Sequence, residues 1–451
     1  MSCFFLPFPI SFCFLDHTNP GGKGGNVMRN PYRRRLLGWY CAFLTLMLYA
    51  SPIMQVLRDL PEVYYIRSAQ DAVDLSSLEP FGDYLSVTAM STGEELTREV
   101  LTGAPVFGSP STRDQETWQI EFLGIPVRQV ELIYEEPRTL IAGGECISIS
   151  MQTQGVLVVG CTQMMDENAR SVYPASLAGI REGDILLTLN GHEIRSAQDL
   201  TEQMNNYVGD GPVYIEYLRK DQTLTAELYP VRDPSDGRYR LGLWVRDAMN
   251  GIGTLSYVDP VSSEMGALGH GITDADTGIL LPLSGGSVHL AESVQILASH
   301  AGAPGELRGS ASDQDGYLGH LTRNTAYGIF GINQTLEPMG NALSRLVPIA
   351  HDVEVHTGDA TILCTLDDGV RREYTIRILR LTRRDRPQTK GILLEVTDES
   401  LLSKTGGIIQ GMSGSPIIQD GKLVGAVTHV LVNDPTRGYG IFIENMLSAA
   451  G

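Results

Sequence analysis

The chain has 451 residues, a formal net charge of −19, 49 glycines and 42% hydrophobic residues. So acidic a chain repels nucleic-acid phosphates, which excludes a nucleic-acid partner, while its apolar content is enough to bury two or three cores. Its six cysteines (Cys3, Cys13, Cys41, Cys146, Cys161 and Cys364) are too scattered for a disulfide framework, and no Cys/His spacing matches a metal site, so no metal or other cofactor is expected.

Residues 1–27 read as a doubtful leader. Residues 6–15 are apolar, residues 16–26 are polar and glycine-rich, and Lys23-Gly24-Gly25 is what a purine-rich ribosome-binding site encodes when read through. Translation is therefore expected to start at Met28. Arg33-Arg34-Arg35 precedes an almost uncharged run, 36–57, about one bilayer span long. Residues 28–58 are thus expected to form a cytoplasmic tail and transmembrane anchor, with the body exported. The competing reading is a cleaved signal peptide with small residues Ala50-Ser51 at its end. Residues 59–132 read as a spacer or small domain with a strand near 84–89.

Residues 173–194 resemble the middle of a PDZ domain. Ala175, Ala178 and Gly179 let a short helix pack closely, Gly183-Asp184 makes a turn, 185–189 is a buried strand, and Asn190-Gly191 is a two-residue hairpin turn. Residues 196–204 read as a capped amphipathic helix, and 212–217 with 224–229 as closing strands. The PDZ domain is placed at 133–230. The resemblance implies that a peptide adds as a strand, its terminal carboxylate held by a glycine-rich loop, here the one containing Gly143, Gly144 and Ile147. Glu145 opposes a carboxylate in that loop, which puts internal or self-derived peptides on a par with free C-termini.

From 231 to 451 short strands alternate with turns, including the hairpin 354–366 and 370–381 around Asp367-Asp368-Gly369. Near the end, Gly411-Met412-Ser413-Gly414-Ser415-Pro416 sits between the apolar pairs Ile408-Ile409 and Ile417-Ile418, the setting in which trypsin-like folds hold a nucleophilic serine. A serine hydroxyl needs a base, an exposing turn and amide donors for the oxyanion. The amides of Gly411 and Ser413 are the candidates for the last. The plain alternative is a glycine-rich connection between two strands. Of nine histidines, His270 alone is framed by glycines after an apolar stretch, in Gly266-Ala267-Leu268-Gly269-His270-Gly271-Ile272, and is taken as the base. His429, on an apolar strand just after the serine, reads as a packed or wall-lining residue.

These segments, with Gly251-Ile252-Gly253-Thr254-Leu255 and Gly425-Ala426-Val427-Thr428-His429, resemble the SpoIVB peptidase family of endospore-forming bacteria, from the apolar run onward. The resemblance implies a PDZ-containing serine peptidase whose triad falls on His270, Asp398 and Ser413. Asp398 equally reads as the N-cap of a helix starting at Glu399, and Asp274 and Asp276 are its competitors. The fold expected is mainly β with some α: an N-terminal transmembrane helix, a PDZ domain, and a trypsin-like double β-barrel peptidase domain at 231–451. The family implies a membrane-tethered endopeptidase, facing the space between forespore and mother cell. It would cleave itself and a regulatory membrane protein, stage IV sporulation protein FA, and so trigger processing of the sigma-K precursor. The alternatives are a non-catalytic PDZ scaffold and an HtrA-like quality-control protease, the latter disfavoured because here the PDZ segment precedes the serine.

Overall fold

Alternation of buried and exposed side chains builds the sheets of this protein. In the strand Arg371–Leu381, Tyr374, Ile376 and Ile378 enter a core while Thr375 and Arg377 face outward. Its hairpin partner Gly358–Thr365 is joined through Asp367-Asp368-Gly369, where the Asp368 carboxylate accepts the Val370 amide at 3.1 Å. The structure, a computed structural model, describes residues 51–60, 63–66, 75–91, 115–134 and, apart from short breaks, 138–451, with a few isolated positions besides. The chain forms two compact units, one up to Tyr134 and one from Glu135.

The first unit is a small domain. Its four-stranded sheet has the order Val63–Ile66, Ile125–Tyr134, Gln115–Phe122, Leu85–Ala89. Trp118, Ile120, Val130, Leu132 and Leu78 are its buried core. Of the expected apolar span, 36–38, 41–42 and 44–50 lie outside the described residues, as do the leader and Met28. Its last residues, however, belong to this domain. Ser51 caps a separate helix, Pro52–Asp59, and Leu57 is buried in the domain core. Among the described residues no helix is long and apolar enough to cross a membrane.

The second unit holds two six-stranded rings and a PDZ-like lobe. The first ring runs Cys146–Cys161, Leu283–Leu297, Tyr317–Thr325, Gly328–Asn333, Glu264–Ala267, Leu243–Val258, and closes where Leu243–Val258 pairs with Cys146–Cys161. The second is a closed barrel of Gly358–Thr365, Arg371–Leu381, Ile392–Val396, Asp434–Phe442, Lys422–Leu431 and Pro416–Gln419. Two of the first ring's strands are long enough to serve both barrel and lobe. Cys146–Cys161 pairs with Leu283–Leu297 through 147–153, then with Ile185–Leu189 through 156–157. The lobe therefore grows out of the barrel. Strand pairing crosses the expected boundary at 230/231: 147–151 pair within the first barrel, 139–142 pair with its strand Leu243–Val258, and 243–246 extend the lobe's sheet.

Within the lobe the short-range signals act locally as expected. Asn190 and Gly191 both take positive φ, 51° and 78°, in the tight turn after Ile185–Leu189, and Ser196 with Asp199 forms a reciprocal cap on helix Ala197–Asn205.

Gly143 and Gly144, expected to hold a peptide carboxylate, lie elsewhere. Their amides donate to the Ser256 and Leu255 carbonyls at 3.0 and 2.8 Å, their carbonyls accept from Arg371 and Thr365 of the second barrel, and Ile147 is in the first barrel's core. Glu145 pairs with Arg345. The loop joins two barrels and its donors are spent on backbone. A Cβ on Gly143 would collide with the Leu255 carbonyl. Gly143→Ala is expected to lower the unfolding free energy by about 1–3 kcal/mol, the usual cost of overpacking; urea unfolding that leaves the variant as stable as the parent contradicts this packing.

Candidate active site

His270 and Ser413 line one cleft of about 750 Å³, to which both barrels contribute. His270 stands three residues after the first barrel's strand Glu264–Ala267, and Ser413 three before the second barrel's Pro416–Gln419. The Ser413 loop is shaped by backbone. Gly411 and Gly414 take φ of 96° and 99°, and a Cβ on Gly414 would collide with the Thr254 carbonyl. Thr254 holds the loop from the other side: its amide donates to the Ser413 carbonyl at 2.9 Å and its hydroxyl to the Gly411 carbonyl at 2.7 Å. With those two carbonyls turned away, the amides of Gly411 and Ser413 donate to no carbonyl among the described residues. They are available to an oxyanion.

The His270 ring is fixed by one hydrogen bond, Nδ1 to the Gly271 carbonyl at 2.9 Å. A carbonyl only accepts, so Nδ1 carries the proton and Nε2 is the lone-pair nitrogen, as a general base requires. Burial holds its pKa below the ordinary imidazole value of 6.5, with the Gly271 carbonyl opposing the shift. The Ser413 hydroxyl donates to the Thr428 carbonyl at 2.9 Å rather than to His270, which lines the same cleft. His429 is part of the cleft wall, with ring centroid 5.2 Å from that of His270 and Nδ1 buried without a partner. Burial, then the charges of His270 and Lys390, push its pKa down to about 4, so at neutral pH it is an uncharged wall.

The carboxylates expected beside His270 are engaged elsewhere. Asp398 is the N-cap of helix Glu399–Thr405: Oδ1 accepts the Ser400 and Leu401 amides, both at 3.0 Å, and Oδ2 accepts the Thr375 amide at 3.4 Å. It does not line the cleft. Short-range capping wins because both donors lie within three residues of the carboxylate. Asp274 is wholly buried, holding its own turn and pairing with Arg246, while Asp276 pairs with the same arginine at 3.0 Å. The Gly271 carbonyl, not a carboxylate, orients the imidazole here.

A second groove, of about 360 Å³, lies between helix Ala197–Asn205 and residues 243–246. Those residues pair with Cys146–Cys161 on one side and with no second strand among the described residues on the other. Leu200, Met204, Leu241 and Leu243 line the groove floor. A free strand edge facing a helix is the arrangement in which an extended peptide is added to a sheet. Residues 239–243 enter it in place of the 140–147 loop; the sequence signal, Leu241-Gly242-Leu243-Trp244, lies beyond the segment read as PDZ.

Residues 237–447 match the family described as SpoIVB peptidase S55, and residues 146–229 match the PDZ domain family. The chain is a serine peptidase, with its SpoIVB-family match lying behind a PDZ-domain match. Among solved structures, the active form of the Rv3671c protease from M. tuberculosis is similar at 16% identity over 45% of this chain and 75% of that one, with a TM-score of 0.25. The HtrA-type protease AlgW with decapeptide is similar at 12% identity over 45% and 52%, with a TM-score of 0.26. The PDZ domain of the SdrC-like protein from Listeria monocytogenes is similar at 20% identity over 20% and 87%, with a TM-score of 0.16. The peptidase match begins at Gly237, so the groove strand of the PDZ lobe is, by sequence, part of the peptidase family.

Two expectations follow. Because the folded state disfavours the protonated His270, the acid limb of kcat/KM should fall below pH 6.5, and His270 should cost stability as pH drops through 6.5, where the unfolded chain takes the proton first. A limb at or above 6.5 in a pH–rate profile means that a carboxylate does reach the imidazole. Asp398→Ala should lose about 0.5–2 kcal/mol of stability, the worth of an N-cap, and Asp398→Asn much less, since an amide oxygen also caps. Turnover by either folded variant should stay within a few-fold of the parent in steady-state assays; a collapse in Asp398→Asn assigns the carboxylate to catalysis.

Proposed function

We propose that Ser413 is the nucleophile and His270 the general base of this serine peptidase, and that its substrates are membrane-associated regulators of sporulation. The observation that carries the chemistry is the convergence of His270, its Nε2 unprotonated, with Ser413 and two amides without carbonyl partners on one cleft. Rotation of the Ser413 hydroxyl from the Thr428 carbonyl to Nε2 starts the reaction. Oγ attacks the scissile carbonyl carbon as its proton passes to Nε2, and the oxyanion forms against the amides of Gly411 and Ser413. The imidazolium then protonates the leaving amine. Water, deprotonated by Nε2, adds to the acyl carbon, and as the C–Oγ bond breaks the imidazolium passes that proton to Oγ. The Gly271 carbonyl keeps the tautomer and ring orientation constant throughout.

The sporulation role draws on the SpoIVB family match. In that reading the enzyme is tethered by residues 28–58, faces the space between forespore and mother cell, and cleaves itself and stage IV sporulation protein FA to trigger sigma-K maturation. An open strand edge in the PDZ groove supports a peptide-sensing step ahead of cleavage.

The test has two arms. A fluorophosphonate should form one adduct, on Ser413, and none with Ser413→Ala, which should also lose several orders of magnitude in kcat. Incubation with the extracytoplasmic part of stage IV sporulation protein FA should yield fragments with the parent and none with Ser413→Ala. An adduct on Ser415 instead moves the nucleophile; an adduct on Ser413 without fragments removes the substrate assignment and leaves the chemistry.

A further inference from the structure

Between the PDZ groove and the catalytic cleft lies a knot of charged residues that the mechanism does not use. Arg246 and Asp247 are adjacent where the strand Leu243–Val258 leaves the groove for the first barrel. Their side chains grip opposite partners. The Asp247 carboxylate accepts the Ala197 amide at 2.8 Å, at the first turn of the groove helix Ala197–Asn205. The Arg246 guanidinium pairs with Asp274 and with Asp276, on the peptidase side.

Asp274 organises the turn that follows the base. One of its carboxylate oxygens accepts the Asp276 amide at 3.1 Å, the Thr277 amide at 2.9 Å and the Thr277 hydroxyl at 3.0 Å, and its main chain bonds to Ile279 and Gly278. From this turn Thr273, Gly278 and Leu280 reach the cleft that His270 lines. Asp274 has no exposed surface, and a buried carboxylate that loses its cation is left with an uncompensated charge. Arg246 and the turn are therefore held together, and a displacement of one is resisted by the other. The lobe also touches this turn directly, since a Cβ on Gly183 would meet Ile279.

We propose that Arg246 is a positioning residue that acts through Asp274 on the turn beyond His270, and so couples the PDZ groove to the base. The inference rests on the reading of His270 and Ser413 as base and nucleophile. A peptide added to the edge of 243–246 restrains the segment that bears Arg246, and by reciprocity a ligand on Ser413 changes the groove.

That reciprocity makes a test possible without a known PDZ ligand. Diisopropyl fluorophosphate is reacted with Ser413, and backbone hydrogen exchange of 197–205 and 243–246 is followed by mass spectrometry. In the parent, labelling should change exchange in both segments by about 5- to 150-fold, the usual span of coupling between two sites. In Arg246→Met with Asp274→Asn, the amide oxygen keeps the three turn contacts, the buried charge is gone, and the methionine replaces the arginine stem. This double variant should still take the label but leave exchange at both segments unchanged. Its kcat on a short unstructured peptide should fall about 10-fold with KM nearly constant, as for a misplaced base. Arg246→Lys, which keeps the charge but offers a single point of contact, should transmit less than the parent and more than the double variant. Exchange that responds equally in all three proteins, or not at all in labelled parent, overturns the coupling. A parent that takes no label at Ser413 removes the catalytic reading, and the coupling with it.

Discussion

The main-chain hydrogen bonding of one sixteen-residue strand, Leu243–Val258, is the constraint on which the PDZ–peptidase unit depends. Its first residues form the groove wall of the PDZ lobe, its middle closes the first barrel against Cys146–Cys161, and Thr254 near its end bonds both the Ser413 loop and the segment leading to His270. The Thr254 amide and hydroxyl hold the carbonyls of Ser413 and Gly411, while its carbonyl accepts the Leu268 amide two residues before His270. The proposed nucleophile Ser413 and base His270 are thus registered to one residue. Most of these bonds are between backbone atoms, so they prescribe strand register more than side-chain identity, and sequence can vary widely around them.

Charge is arranged around the cleft so that its two imidazoles stay neutral. Burial penalises the cationic form of each, and two cations with rings 5.2 Å apart would repel. His429 also feels the charges of His270 and Lys390, and its pKa is pushed down to about 4. The acidic residues near in sequence are used structurally: Asp274 balances Arg246 inside the protein, and Asp398 satisfies helix amides. An imidazole oriented by a carbonyl, as His270 is, keeps one tautomer but lacks a neighbouring negative charge to favour its imidazolium.

Features that depend on a few consecutive residues were legible in the chain. The Asn190-Gly191 turn, the Ser196 cap, the hairpin around Gly369 and the glycine frames of His270 and Ser413 are each set by backbone sterics or by donors within three or four residues. The ambiguity of Asp398 was legible too: the same residue read as a triad member by resemblance and as an N-cap by its neighbours, and its hydrogen bonds are those of the cap. Gly143-Gly144 misled because glycines that admit a ligand and glycines that admit a second strand look alike; here the close approach is made by the Leu255 carbonyl.

The sequence by itself determined the mainly β character, the position of the serine and histidine loops, and the existence of a PDZ-like segment, since periodicity, turn residues and loop motifs are local properties of the chain. Only the tertiary structure decided that residues 243–246 wall the PDZ groove, that Thr254 supports the Ser413 loop at Gly411, 157 positions away, and that Arg246 meets Asp274. The reason is physical: a strand's neighbours and an ion's partner are chosen by ring closure and burial across the whole fold, and neither leaves a mark on adjacent residues.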